Sequence, residues 1–150
     1  MLLAAFLSGQ RAAGAVTAPE HWPPAVEAAA AFLAARLDAD PAAPLTLADL
    51  AGAACVTPEH LCRLFQAALG LSPMETVRLA RLDRAAALLV RSNYSVGEIA
   101  ALCGFASPFH FSRRFKDACG LSPTNLRRRV QAGEMPSPPR FLPGTSISGI

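Results

Sequence analysis

The 150-residue chain is poor in the groups that would build a sheet, a metal centre or an active site. Aromatics make up 7% of it, with one Trp and one Tyr, and runs of β-branched residues are nearly absent. Strands draw on those residue types, so an all-α domain is the natural reading. The four cysteines, Cys55, Cys62, Cys103 and Cys119, include no CxxC pair, and no His stands at zinc-finger spacing from them. A metal site is not expected, and scattered single thiols suit a reduced cytoplasm. Cys62 is expected on an exposed helix face, but nothing in the sequence supports a redox role for it. His21, His60 and His110 are dispersed, and the chain has no glycine-rich phosphate loop and no nucleophile–base constellation. An enzyme is therefore not expected, nor is a cofactor.

Long apolar runs are missing too. The opening MLLAAFLSGQRAAGAV is apolar but too short to cross a bilayer, and it lacks the basic start of a secretory signal. It reads as a helix from Leu2 to about Leu7 that needs a partner. No membrane association is expected.

What the chain does have is alanine, helix punctuation and a localised positive charge. Hydrophobic residues are 52% of the total, enough for a core, and much of that share is alanine, which favours closely packed helices. The net charge is +3, but residues 45–130 carry +5 and the remainder −2. Such a region suits a polyanionic partner; a solvated basic helical face is the alternative.

Three zones follow. Residues 1–21 are the apolar segment and a linker, residues 22–130 are helical, and residues 131–150, rich in Pro, Ser and Gly, read as a disordered tail. In the middle zone Pro23 and Pro24 open a helix to about Asp38, with Val26, Phe32, Leu33 and Leu37 on its apolar side. Thr46 caps a short helix beginning at Leu47, with Asp49 in the capping-box position. Thr57 and Pro58 start a helix that runs to Leu69 and stops at Gly70. Ser72 and Pro73 start a long helix to about Arg91, with Glu75 placed to complete a capping box. Its apolar stripe is Leu79, Leu82, Ala86, Leu89 and Val90. Ser95 with Glu98 boxes a helix through Leu102, Gly104 turns, Ser107 and Pro108 start the next, and Ser122 and Pro123 start the last, to about Val130.

The strongest signal is an internal repeat. LADLAGAACVTPEHLCRLFQAALGLSP (47–73) lies over VGEIAALCGFASPFHFSRRFKDACGLSP (96–123). Leu47, Leu50, Ala51 and Val56 match Val96, Ile99, Ala100 and Phe105 at one offset. Arg63, Phe65 and the Gly-Leu-Ser-Pro run 70–73 match Arg113, Phe115 and 120–123 at an offset one larger, so the second copy has one extra residue in its turn. A short helix, a tight turn and a second helix with a fixed start form a helix-turn-helix unit. Leu50, Ala51, Leu61 and Phe65 can close one core; Ile99, Ala100, Phe111 and Phe115 the other. The outward faces hold Glu59, Cys62, Arg63 and Gln66 in one copy, and Pro108, Phe109, Ser112, Arg113 and Lys116 in the other. Helices of this kind fit a DNA major groove, and each following helix start is available to a phosphate. A joining helix of about 18 residues spans about 27 Å. Groove faces recur about 34 Å apart, so one chain could reach two adjacent segments, with some DNA bending. An all-α bundle with the same packing and no DNA contact is the competing interpretation.

These residues resemble the DNA-binding domain of the AraC/XylS family of bacterial transcription regulators. SVGEIAALCGFASPFHFSRRFKDACGLSPTNLRRR (95–129) is similar to the family's signature region, RLDRAAALL (81–89) to its linker helix, and 45–73 to its first unit. The resemblance covers about residues 23–130. It implies a seven-helix, homeodomain-like domain: a first unit over 22–72, a linker helix over 73–91 and a second unit over 92–130. It also implies a sequence-specific, cytoplasmic regulator that inserts recognition helices, about 58–69 and 108–118, into adjacent major-groove segments of double-stranded DNA. RNA polymerase is a further candidate partner.

By matching positions, Thr57, Glu59, Cys62 and Arg63 are candidate DNA-binding residues in the first unit. Ser107, Phe109, His110, Ser112, Arg113, Arg114 and Lys116 are those of the second. Arg63 and Arg113 are the leading base readers, since a guanidinium can pair with guanine O6 and N7, and phosphate contact is the alternative for each. Arg114 and Lys116 suit phosphate or solvent, and His110 suits a groove rim. Glu59 either accepts from a cytosine amine or faces away, and Cys62 is an unusual reader. Leu126 stands before Arg127 where the family often has an aromatic, which changes packing. Family members usually carry an effector or dimerisation domain ahead of this region. The apolar opening looks like the last helix of one, so the chain reads as a truncated regulator or a short stand-alone binder. A non-DNA reading is open as well: Leu2, Leu3, Phe6 and Leu7 would pair with another copy or a full-length relative and modulate it.

Overall fold

A computed structural model of the protein describes residues 22–134. The expected helix at Leu2–Leu7 and nearly all of the expected tail lie outside the described residues. Seven helices and no strand occur among the described residues: α1 Pro24–Ala39, α2 Leu47–Ala54, α3 Pro58–Leu69, α4 Pro73–Arg91, α5 Val96–Leu102, α6 Pro108–Cys119 and α7 Pro123–Gln131. Two compact units divide inside α4, between Arg78 and Leu79, and the short segment 40–43 belongs to the second.

The first unit packs α1, α2 and α3 pairwise on one another. Its core holds Val26, Leu33, Leu37, Leu50, Ala51, Leu61 and Phe65, with Trp22 and Leu45 at its ends. Half of the buried face of α1 is alanine: Ala29, Ala30 and Ala34 are inside beside Val26, Leu33 and Leu37, while Phe32 is only half-buried. The apolar-stripe expectation therefore erred at Phe32. Its ring lies instead under the guanidinium of Arg36, 6.0 Å from the ring centroid. At 3.6 residues per turn Phe32 falls on the flank of the stripe formed by Val26, Ala30, Leu33 and Leu37 rather than on it.

The second unit packs α5, α6 and α7 with the later part of α4. Leu82, Ala85, Ala86 and Leu89 of α4 meet Ile99, Ala100, Phe111, Phe115 and Leu126, and Phe105 covers the edge. Phe105, Phe111 and Phe115 form a chain of tilted rings with centroids 5.0 and 5.6 Å apart. Leu126, standing where the family often has an aromatic, is 1% exposed.

Helix starts follow the hydroxyl–proline punctuation. Thr57, Ser107 and Ser122 each accept the backbone N–H three residues on, ahead of Pro58, Pro108 and Pro123. Thr46 with Asp49, and Ser95 with Glu98, form complete capping boxes. At α4 only half of the expected box forms. The Glu75 amide donates to Ser72 Oγ, but the Glu75 carboxylate turns to Arg78 at 2.7 Å.

The stop that opens the turn of each unit is the same in both copies. In the first, the Val56 amide donates to Ala51 O and Cys55 to Gly52 O, both at 3.1 Å. In the second, the Phe105 amide donates to Ala100 O at 2.9 Å and Gly104 to Ala101 O at 3.1 Å. These paired bonds are the Schellman stop, which demands a left-handed residue at its hinge. Gly104 meets that demand with φ +78°, and Cys55 meets it with φ +56°, unaided by glycine. Ala106 is the extra residue that lengthens the second turn before α6.

Two arginines tie the second unit together. Arg81 on α4 donates Nη2 to Ala43 O at 2.6 Å and Nη1 to Gly104 O at 3.4 Å. Arg127 on α7 donates to the carbonyls of Tyr94 and Ser92, clamping the loop between α4 and α5.

Candidate nucleic-acid interface

Helices α3 and α6 are amphipathic, and their buried rows are equivalent. Leu61 and Phe65 go inward from α3, and Phe111 and Phe115 from α6. The opposite row of each helix, read at i, i+4 and i+7, lies on one face. On α3 it is Glu59, Arg63 and Gln66; on α6 it is Phe109, Arg113 and Lys116, and all six side chains are exposed. The rows superpose position for position in the repeat.

The remaining sequence candidates divide by place. Cys62 and Ser112 are equivalents beside the row, and both are half-buried, so the expected exposure of Cys62 is only partial. Small side chains there let the helix surface come close to whatever it meets. Thr57 and Ser107 sit at the helix starts, where their oxygens accept from the amides of His60 and His110 at 3.2 and 3.0 Å. Each hydroxyl also carries one donor proton. His110 is exposed but leans toward Phe105, with ring centroids 6.4 Å apart, at the rim of the α6 surface. Arg114 shares the flank of His110 and Asp117 rather than the row of Arg113.

The two faces differ in charge. The α3 row sums to neutral, with one carboxylate and one guanidinium, whereas the α6 row carries two cations and no acid. Both helix starts add the partial positive charge of unpaired N–H groups.

Sequence reasoning missed the residues that hold these faces in place. Arg81 was legible only as part of RLDRAAALL, yet its guanidinium fixes the turn that aims α6. A cation at i−4 from the buried Ala85, on the apolar stripe, is the signal that could have found it. Arg127 had no such signal, because its partners are loop carbonyls.

Two three-helix units with a left-handed hinge before an uncovered amphipathic helix define a tandem helix-turn-helix protein. Residues 50–129 match the family described as "Helix-turn-helix domain". The chain belongs to that family, in its AraC-type branch, which is one of transcription regulators rather than enzymes. It is 44% identical over 86 residues to the HTH-type transcriptional regulator GlxA of Rhizobium meliloti, covering 57% of this chain and 26% of that protein. The chain thus spans about a quarter of the length of that relative. A transcriptional regulator with an AraC-type DNA-binding domain from Chromobacterium violaceum superposes with a TM-score of 0.65 at 30% identity, over 71% of this chain and 92% of the other. The DNA-binding domain of AdpA, solved in complex with a target DNA, superposes with a TM-score of 0.63 at 29% identity, over 73% of this chain and 95% of that one. Among the described residues, no helix is long and apolar enough to cross a membrane, and no cluster of three metal-ligating side chains occurs.

Proposed function

We propose that this chain is a sequence-specific DNA-binding transcription regulator of AraC type, with α3 and α6 as its two recognition helices in adjacent major-groove segments. The observation that carries this reading is the pair of equivalent exposed rows, Glu59/Arg63/Gln66 and Phe109/Arg113/Lys116, each on a helix whose other side is locked in a core. A helix of this diameter fits the major groove, and residues of its first two turns reach base edges. Arg63 and Arg113 are the base readers of the two units. Thr57, Ser107, Arg114 and Lys116 serve the phosphates, and Cys62 and Ser112 line the close approach. AdpA's complex with a target DNA supports the same use of the fold here.

On this reading residues 22–130 are the DNA-binding domain, with double-stranded DNA as partner in the cytoplasm. RNA polymerase, a second copy and a related regulator are the candidate protein partners. Selecting duplexes from a random pool against the whole chain tests the reading. The expected result is a recurrent site whose footprint covers two successive groove segments. Recovery of no sequence in excess over the starting pool overturns it.

A further inference from the structure

Positions 59 and 109 are equivalents in the repeat, each one residue past the opening proline of its helix. Their chemistry is opposed, carboxylate against phenyl. Phe109 is 75% exposed, well above the other exposed large hydrophobics, Tyr94 at 48% and Leu102 at 43%. Among the described residues, this ring completes no core. The aromatic cluster is complete with Phe105, Phe111 and Phe115, and Phe109 projects from the opposite row of α6.

The neighbours along that row identify what would cover it. Arg113 and Lys116 follow at one and two turns, so the apolar ring opens a strip that is otherwise cationic. An apolar protein groove would leave both cations unpaired. A duplex supplies anions for them and, in the major groove, one apolar group on a natural base edge: the C5 methyl of thymine. We propose that Phe109 is a specificity residue that packs on a thymine methyl in the half-site facing α6, while Glu59 in the same register of α3 selects against such a contact. This rests on the DNA-binding reading above and adds a base identity to it. The two half-sites would then differ in sequence at equivalent steps, so the operator is not a simple direct repeat.

The test uses the full chain and a duplex selected from a random pool. Each thymine is replaced in turn by deoxyuridine, which removes only the methyl. Burying one such group is worth about fourfold in affinity. At one thymine the wild-type chain should bind about fourfold more weakly after replacement. Phe109→Ala, checked for an unchanged far-UV spectrum, should bind the original duplex more weakly and be indifferent to that same replacement. Wild-type indifference at every thymine, or an undiminished loss in Phe109→Ala, overturns the assignment while the DNA-binding reading stands. A gain confined to 5-methylcytosine duplexes overturns the thymine assignment as well. Selection of no duplex at all removes both.

Discussion

Arg81 donates to the carbonyl of Gly104 at 3.4 Å, and a Cβ added to Gly104 would lie 2.7 Å from the same Arg81 Nη1. That Cβ would also stand 3.1 Å from Ala42 Cα, in backbone that a side chain cannot move away from. The left-handed φ of +78° adds strain of its own. Gly104→Ala should therefore destabilise the second unit by about 2 kcal/mol or more. Urea unfolding followed by circular dichroism would read this as a lower midpoint with an unchanged slope. An unchanged midpoint would contradict both the contact with the Ala42 backbone and the left-handed strain.

The first unit offers the converse experiment. Cys55 sits in the same Schellman hinge at φ +56° with an exposed side chain, so glycine there loses no packing. Relief of left-handed strain, less the added chain entropy of glycine, leaves a gain of roughly 0.5–1 kcal/mol for Cys55→Gly. Gly52 lies inside α2, and a Cβ added there would meet nothing within 4 Å. Gly52→Ala should gain a similar amount, about 0.8–1 kcal/mol, from helix propensity. Thermal melts of both variants check the sign, and a lower melting temperature in either contradicts the account.

The contrast between these two hinges also shows where the sequence was legible. Hydroxyl–proline starts and glycine stops are local chemistry, so Thr57–Pro58, Ser107–Pro108, Gly70 and Gly120 could be read off directly. The repeat then located both cores and both exposed rows. Long-range choices were not legible. Phe32, by contrast, was legible: at 3.6 residues per turn it falls off the stripe of Val26, Ala30, Leu33 and Leu37, and its half-burial follows. Glu75 leaves its capping box for Arg78 because two local partners compete on nearly equal terms. Arg81 and Arg127 act on carbonyls 23 to 38 residues away, which no periodicity encodes.

Acid should loosen both units through their capping boxes. Hydrogen bonds from the side chain and amide of Thr46 hold the Asp49 carboxyl below its usual range, and those from the amide, then the side chain, of Ser95 do the same for Glu98. A depressed folded-state pKa means that the unfolded chain binds protons more readily, so stability rises with pH across the carboxylate range. The contribution is in place above the ordinary values of 3.8 and 4.5 and is lost as the pH falls through the lower folded values. Asp49→Asn and Glu98→Gln should each flatten the acid limb of a plot of stability against pH. An acid limb of unchanged steepness in the double variant would count against the boxes as its source.

Cys55, Cys119 and Cys103 should react in an order set by burial. Burial pushes the Cys103 thiol up to about 11, despite the opposing charges of Arg84 and Arg81, and leaves it sealed in the second core. Cys119 is raised less, by partial burial, and its sulfur donates to Leu121 O at 3.2 Å. Cys55 is exposed at the hinge. Alkylation at pH 8 followed by mass spectrometry should mark Cys55 first and Cys103 only after denaturant is added, because the thiolate is the reactive form. Early labelling of Cys103 in the native protein would show that the second core opens readily.

On the proposed reading, the exposed row of α6 would make two kinds of DNA contact. Arg113 stands one turn into the helix, behind Phe109, and Lys116 a turn further; on the proposed DNA-binding reading the first would reach a base edge and the second a phosphate. Arg113→Ala should cost about 1–3 kcal/mol on the selected duplex and much less on random duplex, so specificity falls with affinity. Lys116→Ala should weaken both duplexes alike and make the salt dependence of binding shallower by about one unit of slope. Arg63→Ala should resemble Arg113→Ala in kind, acting on the other half-site. Titrations of the three variants against both duplexes at several salt concentrations distinguish these roles. Equal losses on selected and random DNA for Arg113→Ala would move that residue from the bases to the backbone.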